Sequence, residues 1–104
     1  MAKIDFTVPH ALALDEVRAR IAAGIPKLRE KIPGGAEVEA DWQPENRLVL
    51  SIKAMGQTIT VDGELAETEV RGVTSVPMML SMMAGQIGEM VQDSIARMLA
   101  KPVA

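Results

Sequence analysis

The run from Val76 to Leu99 constrains this chain more than any other part of it. Its first half, Val76-Pro77-Met78-Met79-Leu80-Ser81-Met82-Met83-Ala84-Gly85-Gln86-Ile87-Gly88, carries no charged side chain. Its second half sets Glu89, Asp93, Arg97 and Lys101 at intervals of four, along one stripe of a helix. A surface helix of a globular protein is polar along one whole side. The helix expected over 76–100 is polar along one side for only half its length. Its core stripe reads Val76, Leu80, Met83, Ile87, Val91 (or Met90), Ile95 and Met98. Ser75 is the expected N-cap, Pro77 sits early in the first turn where proline is tolerated, and Pro102 ends the helix. Asp93 and Arg97 form the favourable pair of its polar stripe.

The rest of the chain must supply the core that covers this stripe. Lys3 to Val8 alternates strictly, with Ile4, Phe6 and Val8 on one side, and reads as a half-buried strand over 3–8. From Leu14 the period lengthens: Val17, Ile21, Ile25, Leu28 and Ile32 share one face of a helix over 14–32. Asp15 or a residue just before it can cap that helix. Arg18, Arg20, Lys27, Arg29 and Lys31 make its outer surface basic. Gly24 and Pro26 lie inside it, and a proline loses a donor and crowds the carbonyl four residues back. A kink or break is therefore expected near 22–26. Pro33-Gly34-Gly35 ends the helix.

Four more strands follow, over 36–42, 47–54, 57–62 and 64–72. Val38, Ala40 and Trp42 face inward on the first, with Glu37, Glu39 and Asp41 outward. Pro44-Glu45-Asn46 and Met55-Gly56 turn the chain, and Asp62-Gly63 reads as a hairpin turn. The last strand can face two ways: a two-residue turn puts Ala66, Thr68 and Val70 inward, and a longer bulged turn puts Leu65 inward. The first is preferred. One wet face and one apolar face make an antiparallel sheet. The expected fold is α+β in two layers, β-α-β-β-β-β-α, with both helices on the apolar face, as a single domain over 1–104. The first strand pairs at one edge of the meander, without indication of which.

Composition narrows function. The 104 residues carry a formal charge of −3, against the basic face a general nucleic-acid binder needs. There is no Cys, so no disulfide, thiolate metal site or thiol nucleophile. Met1-Ala2-Lys3-Ile4-Asp5 lacks the apolar core of a signal peptide. The uncharged run over 76–88 falls short of the roughly 20 residues that span a bilayer. These features lead to the expectation of a cytoplasmic protein with no cofactor, no metal and no transmembrane segment.

Candidate chemistry is sparse. His10, the sole histidine, follows Pro9 in the strand-to-helix connection, where local hydrogen bonding explains it better than catalysis. Glu37, Glu39 and Asp41, with Glu67 and Glu69, could bind a hard cation, but lack the tight glycine turn of a metal loop and read as a solvated sheet face. Gly85 and Gly88 suggest close backbone approach or a bend. Met78, Met79, Met82 and Met83 cover two adjacent helix faces. Either they fill a core poor in aromatics, or part of the cluster, with Gln86, forms an adaptable apolar interaction surface. The uncharged half-helix favours the second.

The chain as a whole resembles the polyhydroxyalkanoic acid system proteins. The residues that carry the likeness are the opening strand, Pro9-His10-Ala11-Leu12, Leu14-Asp15-Glu16-Val17-Arg18, the Leu48–Ile52 strand, Ile59-Thr60-Val61-Asp62, and Glu67–Gly72 feeding an apolar terminal helix. The chain departs from the family in its Met-rich helix and in Gly24 and Pro26. The resemblance implies a non-enzymatic accessory protein at or near a polyhydroxyalkanoate granule or a granule-bound protein, and supplies no catalytic residues. A homo-oligomer, simplest a dimer, that buries the Met surface against a second copy is the alternative. A small carrier holding a greasy ligand between sheet and helices is a third reading.

Overall fold

Alternation and helical period build two layers in the computed structural model, which describes residues 2–31, 36–54 and 56–100. The strands are β1 (Ala2–Pro9), β2 (Glu37–Gln43), β3 (Arg47–Ala54), β4 (Gln57–Leu65) and β5 (Glu69–Val76). The helices are α1 (Leu14–Lys31) and α2 (Ala84–Ala100), with a 3-10 helix over Met78–Met83 leading into α2. All neighbouring strands are antiparallel, in the order β1-β5-β4-β3-β2. This is an α+β fold with the helices packed against the sheet. Strand β1 therefore joins β5, and α1 carries the chain across the sheet to β2 at the opposite edge. The turn at Pro33-Gly34-Gly35, the Met55 half of the next turn, Ile32, Lys101 and Pro102 lie outside the described residues.

Helix α1 is continuous through Pro26, so the break, one of the two outcomes expected near 22–26, does not occur. Val17, Ile21 and Leu28 are buried as the period requires, and Ile25 is half-buried. Gly24 is buried because Met98 of α2 occupies the space a Cβ would take. Asp15 is not the N-cap of α1, though its Oδ1 accepts the Glu16 N–H at 3.0 Å. It lies in the first turn beside Glu16, where acidic groups suit the helix dipole. The first helical bond runs from the Val17 N–H to the Ala13 carbonyl.

The basic surface of α1 also does more than face water. Arg18 stacks on Trp42 at 4.9 Å. Arg20 pairs with Glu16 at 2.7 Å and donates to the Leu99 carbonyl at the end of α2. Arg29 donates to the Val38 carbonyl at 3.3 Å. Cations near a helix C-terminus satisfy carbonyls that have no partner within the helix.

The Asp62-Gly63 turn is the main correction. Both residues lie inside β4, and Gly63 pairs with Gly72 of β5. The chain reverses at 66–68 instead, closed by the Ala66 N–H donating to the Glu69 carbonyl at 2.8 Å. Phe6 of β1 is the register partner of Gly72, and its ring lies against the two glycines. A bulky ring on one strand uses the room that two missing side chains leave on the next two. The extra length of β4 also settles the facing of the last strand. Ala66 and Thr68 belong to the turn, Leu65 is buried at the end of β4, and β5 turns Val70, Thr74 and Val76 inward. On β2, Ala40 and Trp42 share the inward side with Val38, opposite Leu50 and Leu48 as expected, but the edge position leaves Ala40 exposed and Trp42 half-buried.

Thr74 is fully buried, and among the described residues its hydroxyl finds no hydrogen-bond partner. A buried unpaired hydroxyl costs about 1–3 kcal/mol. Thr74→Val is expected to raise stability by about 1 kcal/mol. Urea midpoints of the two proteins check this; a variant less stable than the parent refutes it.

Candidate functional site

The site is built where β5 gives way to α2. Val76 is fully buried and anchors the end of the strand. Pro77 follows with φ −64° and ψ 156°, extended backbone that its ring favours. The Leu80 N–H donates to the Pro77 carbonyl at 2.9 Å, and the Ala84 N–H to the Ser81 carbonyl, so the segment is wound with three-residue spacing. The expected α-helix over 76–100 therefore starts at Ala84. Ser75 lies within β5 and does not cap it, and Pro77 is the N-cap of the 3-10 helix, without a side-chain hydrogen bond.

The tighter winding sorts the side chains. In a 3-10 helix residues i and i+3 eclipse. Leu80 and Met83 share one line, Met79 and Met82 a second, and Met78 and Ser81 a third. The first line leans on the core: Leu80 packs against it, and Met83 is 45% exposed. The others point out, with Met78 77%, Met79 80% and Met82 99% exposed. No residue of the segment is buried. Gln86, in the first turn of α2, is exposed as well. The expectation that Met83 enters the core is thus corrected. Its place is taken by Ala84, followed by Ile87, Gly88, Val91, Ser94, Ile95 and Leu99, all buried. Gly88 admits the side chain of Ile4, whose Cγ2 would lie 2.7 Å from an added Cβ. Gly85 has open space around it. Among the described residues no ion pair joins Asp93 to Arg97.

Gln57, at the start of β4, is a neighbour the sequence did not suggest. Its Nε2 donates to the Met79 sulfur at 3.4 Å. Its only signal was a polar residue on the inward period of a strand, since Ile59 and Val61 share its side.

His10 is hydrogen-bonded into the fold. His10 donates from Nε2 to the Ala66 carbonyl at 2.9 Å, and its Nδ1 accepts the Leu12 N–H at 3.1 Å. With the His10 N–H donating to the Thr68 carbonyl at 2.9 Å, the residue ties the start of the α1 connection to the β4–β5 turn. Among the described residues no three His, Cys, Asp or Glu side chains are grouped to hold a metal ion. Between sheet and helices lies an apolar cavity of about 20 Å³, lined by Phe6, Ile21, Leu48 and Ile95 among others. That is water-sized, and it rules against a carrier of greasy ligands there.

The uncovered face of the sheet forms an open groove of about 1010 Å³. Two ion pairs cross strands in it: Arg47 grips Asp62 with two hydrogen bonds, and Arg71 meets Glu64 at 3.3 Å. The Arg47 hydrogen bond holds the Asp62 carboxyl below its ordinary range, partly opposed by burial and aided by Arg47's charge. A depressed carboxyl contributes stability that is present above its unfolded value of about 3.9 and lost as pH falls through its folded value. The pair is solvent-exposed, so the effect is small. The stability difference between the parent and Asp62→Asn should therefore shrink from pH 7 to pH 3 in paired urea melts. A difference that grows on acidification contradicts it.

Residues 4–99 match the family described as "Putative polyhydroxyalkanoic acid system protein". The chain belongs to that family. No curated protein and no solved structure matches the chain. In this family member, the exposed methionines stand on a segment inside the matched region. No helix among the described residues is long and apolar enough to cross a membrane.

Proposed function

We propose that this polyhydroxyalkanoic acid system protein is a non-enzymatic, cytoplasmic accessory that docks on the granule surface, or on a granule-bound partner, through Met78, Met79, Met82 and Met83. The observation that carries the reading is the exposure of all four at one junction, with no charged residue between Val76 and Gly88. Burying a methionine side chain is worth about 1.5–3 kcal/mol, so several together can offset the cost of attachment. Thioether side chains also adapt to an irregular surface such as a polyester. Gln86 and Glu89 lie just beyond the cluster and supply a polar rim. Both His10 ring nitrogens are engaged by backbone groups, which supports a non-catalytic role.

Co-sedimentation with isolated granules tests the reading. The parent protein should pellet with granules, and Met78→Glu with Met82→Glu should cut the bound fraction at least tenfold. Equal binding by both proteins, or none by the parent, sinks it. Self-association through the same surface is the competing outcome. Light scattering that shows a dimer, dissociated by the same two substitutions, with no granule binding, would establish that instead.

A further inference from the structure

We propose that Met78, Met79 and Met82 are a reversible oxidation site, and that their sulfoxidation by a peroxide releases the protein from its apolar surface. The inference rests on the docking reading above. An apolar patch could be made of leucine; the sulfur is what methionine adds. Thioethers oxidise according to their exposure, and a sulfoxide is polar where the thioether was apolar. Here the exposed sulfurs are gathered on the surface whose use depends on being apolar.

The chemistry balances with hydrogen peroxide as oxidant. A sulfur lone pair attacks one peroxide oxygen, the S–O bond forms as the O–O bond breaks, and the second oxygen leaves as water. Sulfur loses two electrons and peroxide gains them. A methionine sulfoxide reductase with a thiol reductant reverses the step.

The structure also sets an order. Met82 is 99% exposed and should react first. Met79, whose sulfur accepts from Gln57, should follow more slowly. Met98 packs against Gly24 between the two helices and serves as an internal control that reacts last. The fold should survive, because the 3-10 helix has no buried residue.

The test treats the full chain with graded hydrogen peroxide. Peptide mass spectrometry reads the site order, circular dichroism reads the fold, and co-sedimentation with isolated granule particles reads docking. The expected result is sulfoxide at Met82 well before Met98, unchanged secondary structure, and at least a tenfold loss of particle binding that the reductase restores. A protein carrying Met78→Leu, Met79→Leu, Met82→Leu and Met83→Leu should hold whatever untreated binding level it has after peroxide. Oxidised parent protein that binds as well as untreated protein, or Met98 reacting as fast as Met82, overturns this proposal and leaves the docking reading standing. Untreated parent protein that fails to bind overturns the docking reading, and the release with it.

Discussion

Gly72→Val is expected to cost about 3 kcal/mol or more, a large share of the stability of a domain this size. A Cβ at Gly72 would fall on the Asp62 carbonyl oxygen, 2.8 Å from the Gly63 Cα and 2.9 Å from the Phe6 ring. Two of those three are backbone of the neighbouring strand and cannot rotate away. Overpacking a dense core ordinarily costs 1–3 kcal/mol, and a clash with backbone lies at or beyond the top of that range. Native domains hold only about 5–15 kcal/mol in total. The loss should appear as a fall in the thermal midpoint of roughly 10 °C or more. Gly63→Ala is the informative partner. Its Cβ would sit 3.8 Å from the nearest atoms, an ordinary contact, so it should be tolerated far better. Equal effects at the two positions would show that Phe6 does not hold the glycine pair as described.

The second large effect is expected at the centre of the sheet. Ile52 is fully buried on β3, between Val38 on one side and Ile59 on the other. Ile52→Ala removes three carbons from a site with no water access. Large-to-small changes of this kind cost about 2–5 kcal/mol, more where the surroundings cannot collapse. A sheet whose strands hydrogen-bond on both sides collapses little, so a value near 3–4 kcal/mol is expected. Removing Met82 instead should change stability by less than about 0.5 kcal/mol, because its side chain is already in water. Paired denaturant titrations decide the matter. If Met82→Ala destabilises as Ile52→Ala does, the Met segment is core in solution, and its use as a docking surface loses its basis.

The candidate site was legible as a stretch lacking charge, because what it lacks is written residue by residue. Which methionines face water was not, since the answer depends on winding. Six residues between a buried Val76 and a buried Ala84 adopt three-residue spacing, and that moved Met83 off the core stripe. Gln57 became a neighbour only through the antiparallel pairing of β4 with β5, which sets the start of β4 beside the end of β5.

Side-chain period is a local property, so the residues alone specified β1, β2 and β3 closely, the presence of both helices but not the start of the second, and the inward faces of β1, β3 and α1. They also placed His10 in the strand-to-helix connection, but only its bond from the Leu12 N–H is local; the other two reach the β4–β5 turn. The tertiary structure decided what depends on distant partners. It set β1 beside β5 and kept Asp62-Gly63 inside a strand. The reason is steric: a two-residue turn signal is worth little against a Phe6 ring that fits over two adjacent glycines and extends the sheet by a hydrogen-bonded pair.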